Sequence, residues 1–142
     1  MSVDAIALTR RWMDEVWNLK RTDTIAELFA PGCVARGGDG VDRGRDEWVA
    51  FHQAFVDTFP DLRLEIDNIT SDSTGEWVAA RWTVTGTHQG DALGIPASGR
   101  PVSMSGISLL RIQNGQFVAG FDNDDQQALL AQLQPQAKAA GA

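Results

Sequence analysis

Apolar residues recur along the first part of the chain at the spacing of a helix. At about 100° per residue, Ala5, Leu8, Trp12, Val16 and Leu19 form one stripe, which Ile6, Met13 and Trp17 widen to half the circumference. Arg10, Arg11, Asp14, Glu15 and Asn18 take the other half. The pattern predicts a helix over Val3–Lys20, with Ser2 as N-cap and Asp4 in the first turn, where an acid meets the positive end of the helix dipole. So wide an apolar face predicts a helix clasped on two sides, with Trp12 in the core or lining a ligand pocket. A shorter helix is expected over Asp23–Ala30, stopped by Pro31-Gly32, and a brief strand at Cys33–Ala35. Gly37–Gly44 is rich in glycine and aspartate and reads as a loop, with a lid as the alternative. A third helix follows over Asp46–Thr58, because Trp48, Phe51, Phe55 and Phe59 recur every three or four residues. His52 falls one residue off that stripe and is expected to be partly solvated.

From Leu62 the period changes to two. Leu62, Leu64 and Ile66 alternate with Arg63, Glu65 and Asp67; after the turn Asp72–Gly75, Val78, Ala80, Trp82 and Val84 alternate with polar neighbours as far as His88. A loop over Gln89–Pro101 precedes two apolar runs flanking Asn114-Gly115, a dipeptide that favours a tight hairpin because both central positions take positive φ. A short helix closes the pattern at Ala128–Leu133, and Pro135–Ala142 reads as a frayed tail. Helices ahead of an antiparallel meander give a single α+β domain over residues 1–142, with an ordered core near 3–133. A curved sheet wrapped around the N-terminal helices would leave a conical pocket.

Composition narrows what such a pocket serves. The chain has 142 residues, 43% of them apolar, and a net charge of −7. That surface argues against nucleic acid or an anionic membrane as partner, and no apolar run reaches the roughly 18 residues of a membrane span. The N-terminus carries no basic leader region. Cys33 stands alone, so no disulfide framework exists and a cytoplasmic location is expected. One cysteine and two histidines make a zinc site an unpromising expectation and assemble no nucleophilic triad; no phosphate-binding glycine fingerprint is present. There is no tyrosine.

The chemistry left over is acid–base. The second hairpin strand ends in Asp122, Asn123, Asp124 and Asp125. With a two-residue turn and unbroken alternation, Asp122 shares a face with Val118, Gly120, Ile107 and Leu109, which would desolvate its carboxylate and raise its pKa. Phe117, Ala119 and Phe121 then face the other way, and a bulge would reverse the assignment. Asp124 and Asp125 read as first-turn acids of the last helix. His88, on the face of Trp82 and Val84 by the same alternation, is the second acid–base candidate, with a backbone-bonded loop histidine as the alternative.

Particular residues also carry a family pattern. His88-Gln89-Gly90, Leu93-Gly94-Ile95-Pro96-Ala97-Ser98-Gly99-Arg100, Arg111-Ile112-Gln113-Asn114-Gly115, Phe121-Asp122 and Leu130-Ala131-Gln132-Leu133, with Phe59-Pro60-Asp61-Leu62 upstream, resemble the SnoaL-like polyketide cyclases. The resemblance spans about Val3 to Leu133. It implies the nuclear transport factor two-like α+β cone, and ring closure by intramolecular aldol condensation without a cofactor. In that family an aspartate near the end of the last strand is the acid–base catalyst, and the matching position is Asp122. His88 is then expected to steady an enolate, with Trp12, Phe55, Trp82, Ile107 and Leu109 around an apolar small-molecule substrate. A homodimer is implied by analogy. Two departures stand out: Gly120-Phe121 where members often have His-Trp, and Ala97-Ser98-Gly99 where Pro-Thr-Gly is usual. The rival functions are an isomerase or epoxide hydrolase on the same fold, or a protein that only holds an apolar ligand. An isomerase of this fold typically pairs Asp with Tyr, which this chain lacks.

Overall fold

The computed structural model describes residues 4–134. Helix α1 (Ala5–Trp12) continues as a π-helical segment, Met13–Asn18, and is followed by α2 (Thr22–Leu28), β1 (Phe29–Arg36), β2 (Asp42–Arg43) and α3 (Arg45–Thr58). Then come β3 (Arg63–Ser71), β4 (Trp77–Thr87), β5 (Pro101–Gln113), β6 (Gln116–Asp124) and α4 (Gln126–Leu133). The strands form one curved sheet in the order β2-β1-β6-β5-β4-β3, over whose inner face the N-terminal helices pack. The α+β class and the meander are as expected from the sequence. The expected N-cap Ser2 and tail Pro135–Ala142 lie outside the described residues. Asp4 is the N-cap instead, its Oδ1 accepting from the Ile6 and Ala7 amides.

Three local features depart from the simple pattern. First, β1 starts at Phe29, where a helix end was expected, and runs parallel to β6. Its pairing lapses between Phe29 and Val34, the stretch holding Pro31, which has no amide hydrogen for the ladder, and Gly32 at φ +80°. Second, the first helix widens where an i to i+5 bond runs from the Leu19 amide to the Asp14 carbonyl, 2.9 Å. This leaves the Val16 carbonyl to the His52 imidazole Nε2, which donates to it at 2.7 Å. His52 is therefore buried, not partly solvated, and stacks on Trp48 at 5.7 Å. Burial lowers its pKa and keeps it neutral. One turn on, the Asn18 side chain accepts from the Leu64 amide at 2.7 Å and donates to the Leu64 carbonyl at 3.0 Å, fastening the helix to strand β3.

Third, strand β6 is bulged. The turn forms as expected, with Asn114 at φ +53° and Gly115 at φ +72°. Gln113 opposes Gln116 and Ile112 opposes Phe117, but Arg111 then opposes Ala119, so Val118 is the extra residue. Beyond it Leu110 pairs with Gly120 and Ser108 with Asp122. Every side chain after Val118 thus lies on the face opposite to that given by unbroken alternation.

The core lies between the helices and the inner sheet face. Val16, Ile25, Phe59, Val78 and Leu133 are sealed from solvent, each such burial being worth about 1.5–3 kcal/mol. Aromatic rings concentrate on one side: Trp12 lies 5.3 Å from both Trp48 and Phe117, and Trp17 meets Trp48 and Phe55 edge-on.

Candidate active site

The inner faces of β4, β5 and β6, together with α1 and α3, leave a cavity of about 190 Å³. Trp12, Phe55 and Trp82 stand on its wall, joined by Trp17, Phe29, Trp48, Phe51 and Phe117. Polar groups gather at one end: Ser108, Asp122, Asp124, Asp39 and Gln126. No lysine, arginine or histidine among the described residues lines the cavity.

Asp122 enters this wall because of the bulge, which turns it inward beside Ser108 and Leu110. Ile107 and Leu109, expected to frame it, are instead 50% and 41% exposed on the outer face, with Phe121. Their place in the site is corrected accordingly: the aspartate's strand neighbours are Ser108, Leu110 and Gly120. Gly120 leaves room at the wall, where a Cβ would meet Leu110 Cδ2 at 3.3 Å and Ala35 Cβ at 3.6 Å.

A directed hydrogen-bond chain holds the carboxylate. The Trp82 indole N–H donates to Ser108 Oγ at 2.9 Å, so the hydroxyl proton is free to point at Asp122 Oδ1, 2.5 Å away. The indole reaches Ser108 because it lies across Gly106, whose missing Cβ would stand 2.6 Å from its Cζ2. Ser108 occupies one carboxylate oxygen and leaves the other as the working atom. Burial pushes the Asp122 pKa up to about 6; the Ser108 hydroxyl opposes the rise and the charge of Asp124 adds to it. A carboxylate tuned there is ionised at neutral pH yet basic enough to take a proton, and its conjugate acid can return it. Ser108→Ala is expected to raise the Asp122 titration midpoint above its parent value, read by carboxyl ¹³C shifts. An unmoved midpoint would remove Ser108 from the tuning of this group.

Asp124, read from sequence as a helix acid, is the last residue of β6 and faces the same cavity, where burial raises its pKa. Asp125 does cap α4, accepting from the Ala128 amide at 3.0 Å. Asp39 approaches from the loop before β2, with its charge engaged by Arg43 at 2.7 Å.

His88 is not brought to Asp122. The strand ends at Thr87, and the imidazole turns beneath Phe59, fully buried and away from the cavity wall. Its Nδ1 accepts from the Ser98 amide at 3.2 Å, while its backbone carbonyl accepts from the Gly99 amide and its amide donates to the Arg100 carbonyl. The residue ties the two ends of the 89–100 loop together, and through that loop Leu93 is set on the cavity wall.

Cys33 also lines the cavity, but burial pushes its thiol up to about 11, making it a poor nucleophile. No group of three or more His, Cys, Asp or Glu among the described residues is placed to hold a metal ion.

The sequence missed Ser108 and Asp124. Ser108 had a signal in hindsight: a lone hydroxyl residue two positions from Gly106 in an otherwise apolar run. Asp124 had only its spacing of two from Asp122.

The family model described as SnoaL-like polyketide cyclase matches residues 7–133. The chain is 31% identical over 117 residues to the aklanonic acid methyl ester cyclase DnrD of Streptomyces peucetius, covering 79% of this chain and 78% of that one. It is 28% identical over 131 residues to the aklanonic acid methyl ester cyclase AcmA of Streptomyces galilaeus, covering 92% and 90%. Among solved structures, IdmH of Streptomyces antibioticus, described as a proposed polyketide cyclase, superposes with a TM-score of 0.81 at 27% identity over 92% of this chain and 99% of that one.

Proposed function

The chain belongs to the SnoaL-like polyketide cyclase family, and from that premise we propose that it is a cofactor-independent cyclase acting on an apolar, carbonyl-activated polyketide. The observation that carries this reading is the desolvated Asp122 carboxylate, anchored by Ser108 in an aromatic cavity. Asp122 removes a proton from a carbon flanked by carbonyl groups. The resulting carbanion attacks a second carbonyl carbon of the same molecule, forming the ring bond, and the new alkoxide recovers the proton from Asp122. The net change is an isomerisation, so no other reactant is consumed. Trp12, Phe55 and Trp82 hold the flat substrate by burial and stacking.

Aklanonic acid methyl ester, the compound in the names of the two cyclase relatives, is the first substrate to test. The expected result is an isomer of unchanged mass with one more ring, and, where deprotonation reverses before closure, deuterium exchange into the activated carbon of the remaining substrate in D₂O. Binding with neither product nor exchange would sink the cyclase reading in favour of a protein that only holds an apolar ligand.

The outer sheet face belongs to the same reading. Val34, Ile107, Leu109 and Phe121 are large apolar side chains exposed there, with Leu109 and Phe121 directly opposed across β5 and β6. A second copy of this chain is the proposed cover, so sedimentation at micromolar concentration is expected to give twice the chain mass; a monomer there would refute it. The lone cysteine and the charge of −7 support a cytoplasmic location away from nucleic acid and anionic membranes.

A further inference from the structure

Gly37, Gly38 and Asp39, in the loop before β2, form part of the cavity wall. The loop is internally braced: the Gly37 amide donates to the Val41 carbonyl, the Gly40 amide donates to the Gly37 carbonyl, and Asp39 pairs with Arg43. Arg43 in turn lies over the Phe51 ring at 4.2 Å, so the brace is fixed to α3. The tip rests on Asp124. A Cβ at Gly38 would stand 2.6 Å from the Asp124 Cγ and nearer still to Oδ1, so glycine alone permits this approach. The contact seals Asp124 Oδ1 from solvent without giving it a hydrogen-bond partner.

A sealed, unpartnered carboxylate oxygen is costly when charged and much less so when the group is neutral. Opening the loop would return that oxygen to water. The cavity of about 190 Å³ is also smaller than the roughly 300–1,000 Å³ usual for drug-sized ligands, so a multi-ring guest needs its wall to move.

We propose that residues 37–41 are a lid closing on Asp124, and that loss of the Asp124 proton opens it. The surrounding charges reinforce this. Asp122 lies on the same strand, Asp39 comes from the lid and Asp125 from the start of α4, all negative. Arg43, the cation at hand, is taken by Asp39, and the neutral Gln126 amide supplies the opposing contact from α4. Closure raises the Asp124 pKa, so the closed form is favoured while the group is protonated and is weakened as pH rises through that raised value. The device regulates access to the site and does not depend on which substrate enters.

Hydrogen exchange of the ligand-free protein, read as protection factors corrected for intrinsic rates over 37–41, tests the proposal. Protection is expected to fall as pH rises from below 3.8, the ordinary aspartate value, to pH 8, by about tenfold for each unit of pKa difference between closed and open forms. Asp124→Asn, neutral at both values, is expected to stay protected and lose the pH response. Gly38→Ala is expected to be unprotected at both. A pH response that persists in Asp124→Asn, low protection of that variant throughout, or parent-like protection in Gly38→Ala would each overturn it. Should Asp124→Asn fail to fold, the Gly38→Ala result decides alone.

Discussion

Asp122→Asn is expected to lower ring closure by about 10²–10⁴-fold while substrate binding is nearly unchanged, because a positioned general base is worth that factor and the amide keeps the carboxylate's shape. Steady-state turnover with aklanonic acid methyl ester, set beside a binding isotherm, checks it; a fully active variant would remove Asp122 from the chemistry. The same substitution has a second signature that needs no substrate. In the folded chain Asp122 titrates near 6, above the ordinary value of 3.8, so folding favours its neutral form. That contribution is fully present below pH 3.8 and is lost as pH rises through 6. Asn does not titrate. The variant is therefore expected to melt above its parent at pH 8, with the gap closing towards pH 4. Loss of turnover together with a gain in stability marks a group kept for chemistry at a cost to the fold.

Trp12→Ala is expected to cost about 3–5 kcal/mol of stability, read by urea unfolding, and to abolish ligand binding. Trp12 joins four elements: its own helix α1, Phe29 of β1, Trp48 of α3 and Phe117 of β6. It is 6% exposed although it borders a cavity, so its ring works mainly as a pillar. Truncation would merge the existing cavity with the space it leaves, and no neighbour is free to fill both. A loss under about 1 kcal/mol would mean that the ring is lining rather than support.

The two substitutions bracket what the sequence conveys. Trp12 was legible because a helix repeats its pattern: four of the five stripe positions, Ala5, Leu8, Trp12 and Val16, are buried, and Leu19, past the end of the helix, is exposed. Redundancy fails where one residue changes the geometry. The meander was read correctly and the expected strand Cys33–Ala35 falls inside β1, but β2 and the true start and parallel pairing of β1 were missed, because β1 begins in residues with helical spacing and pairs through a stretch containing Pro31. The widened turn at Met13–Asn18 has no marker in residue type, and His52 took its buried place only because that turn frees the Val16 carbonyl. His88 was assigned by extending strand alternation one step past Thr87, where the strand has ended.

Asp122 shows the same limit from the other side. Its inward position was expected, but with Ile107 and Leu109 as neighbours, a set that the structure places on the opposite face. Two assumptions, no bulge and an inward Asp122, were joined in that expectation, and one of them fails. The resemblance of the whole block from His88 to Leu133 carried the position of the acid; strand alternation did not. The cone by itself does not choose the reaction.

The extra residue at Val118 behaves like a shift of reading frame written in side-chain direction. Before it, odd positions of β6 face inward; after it, even ones do, and Asp122 and Asp124 are read in the second frame. Comparisons along this strand between relatives therefore have meaning only when the bulge is aligned first. A gap placed one residue away would match an interior aspartate to an exterior neighbour while leaving the score of the alignment almost untouched.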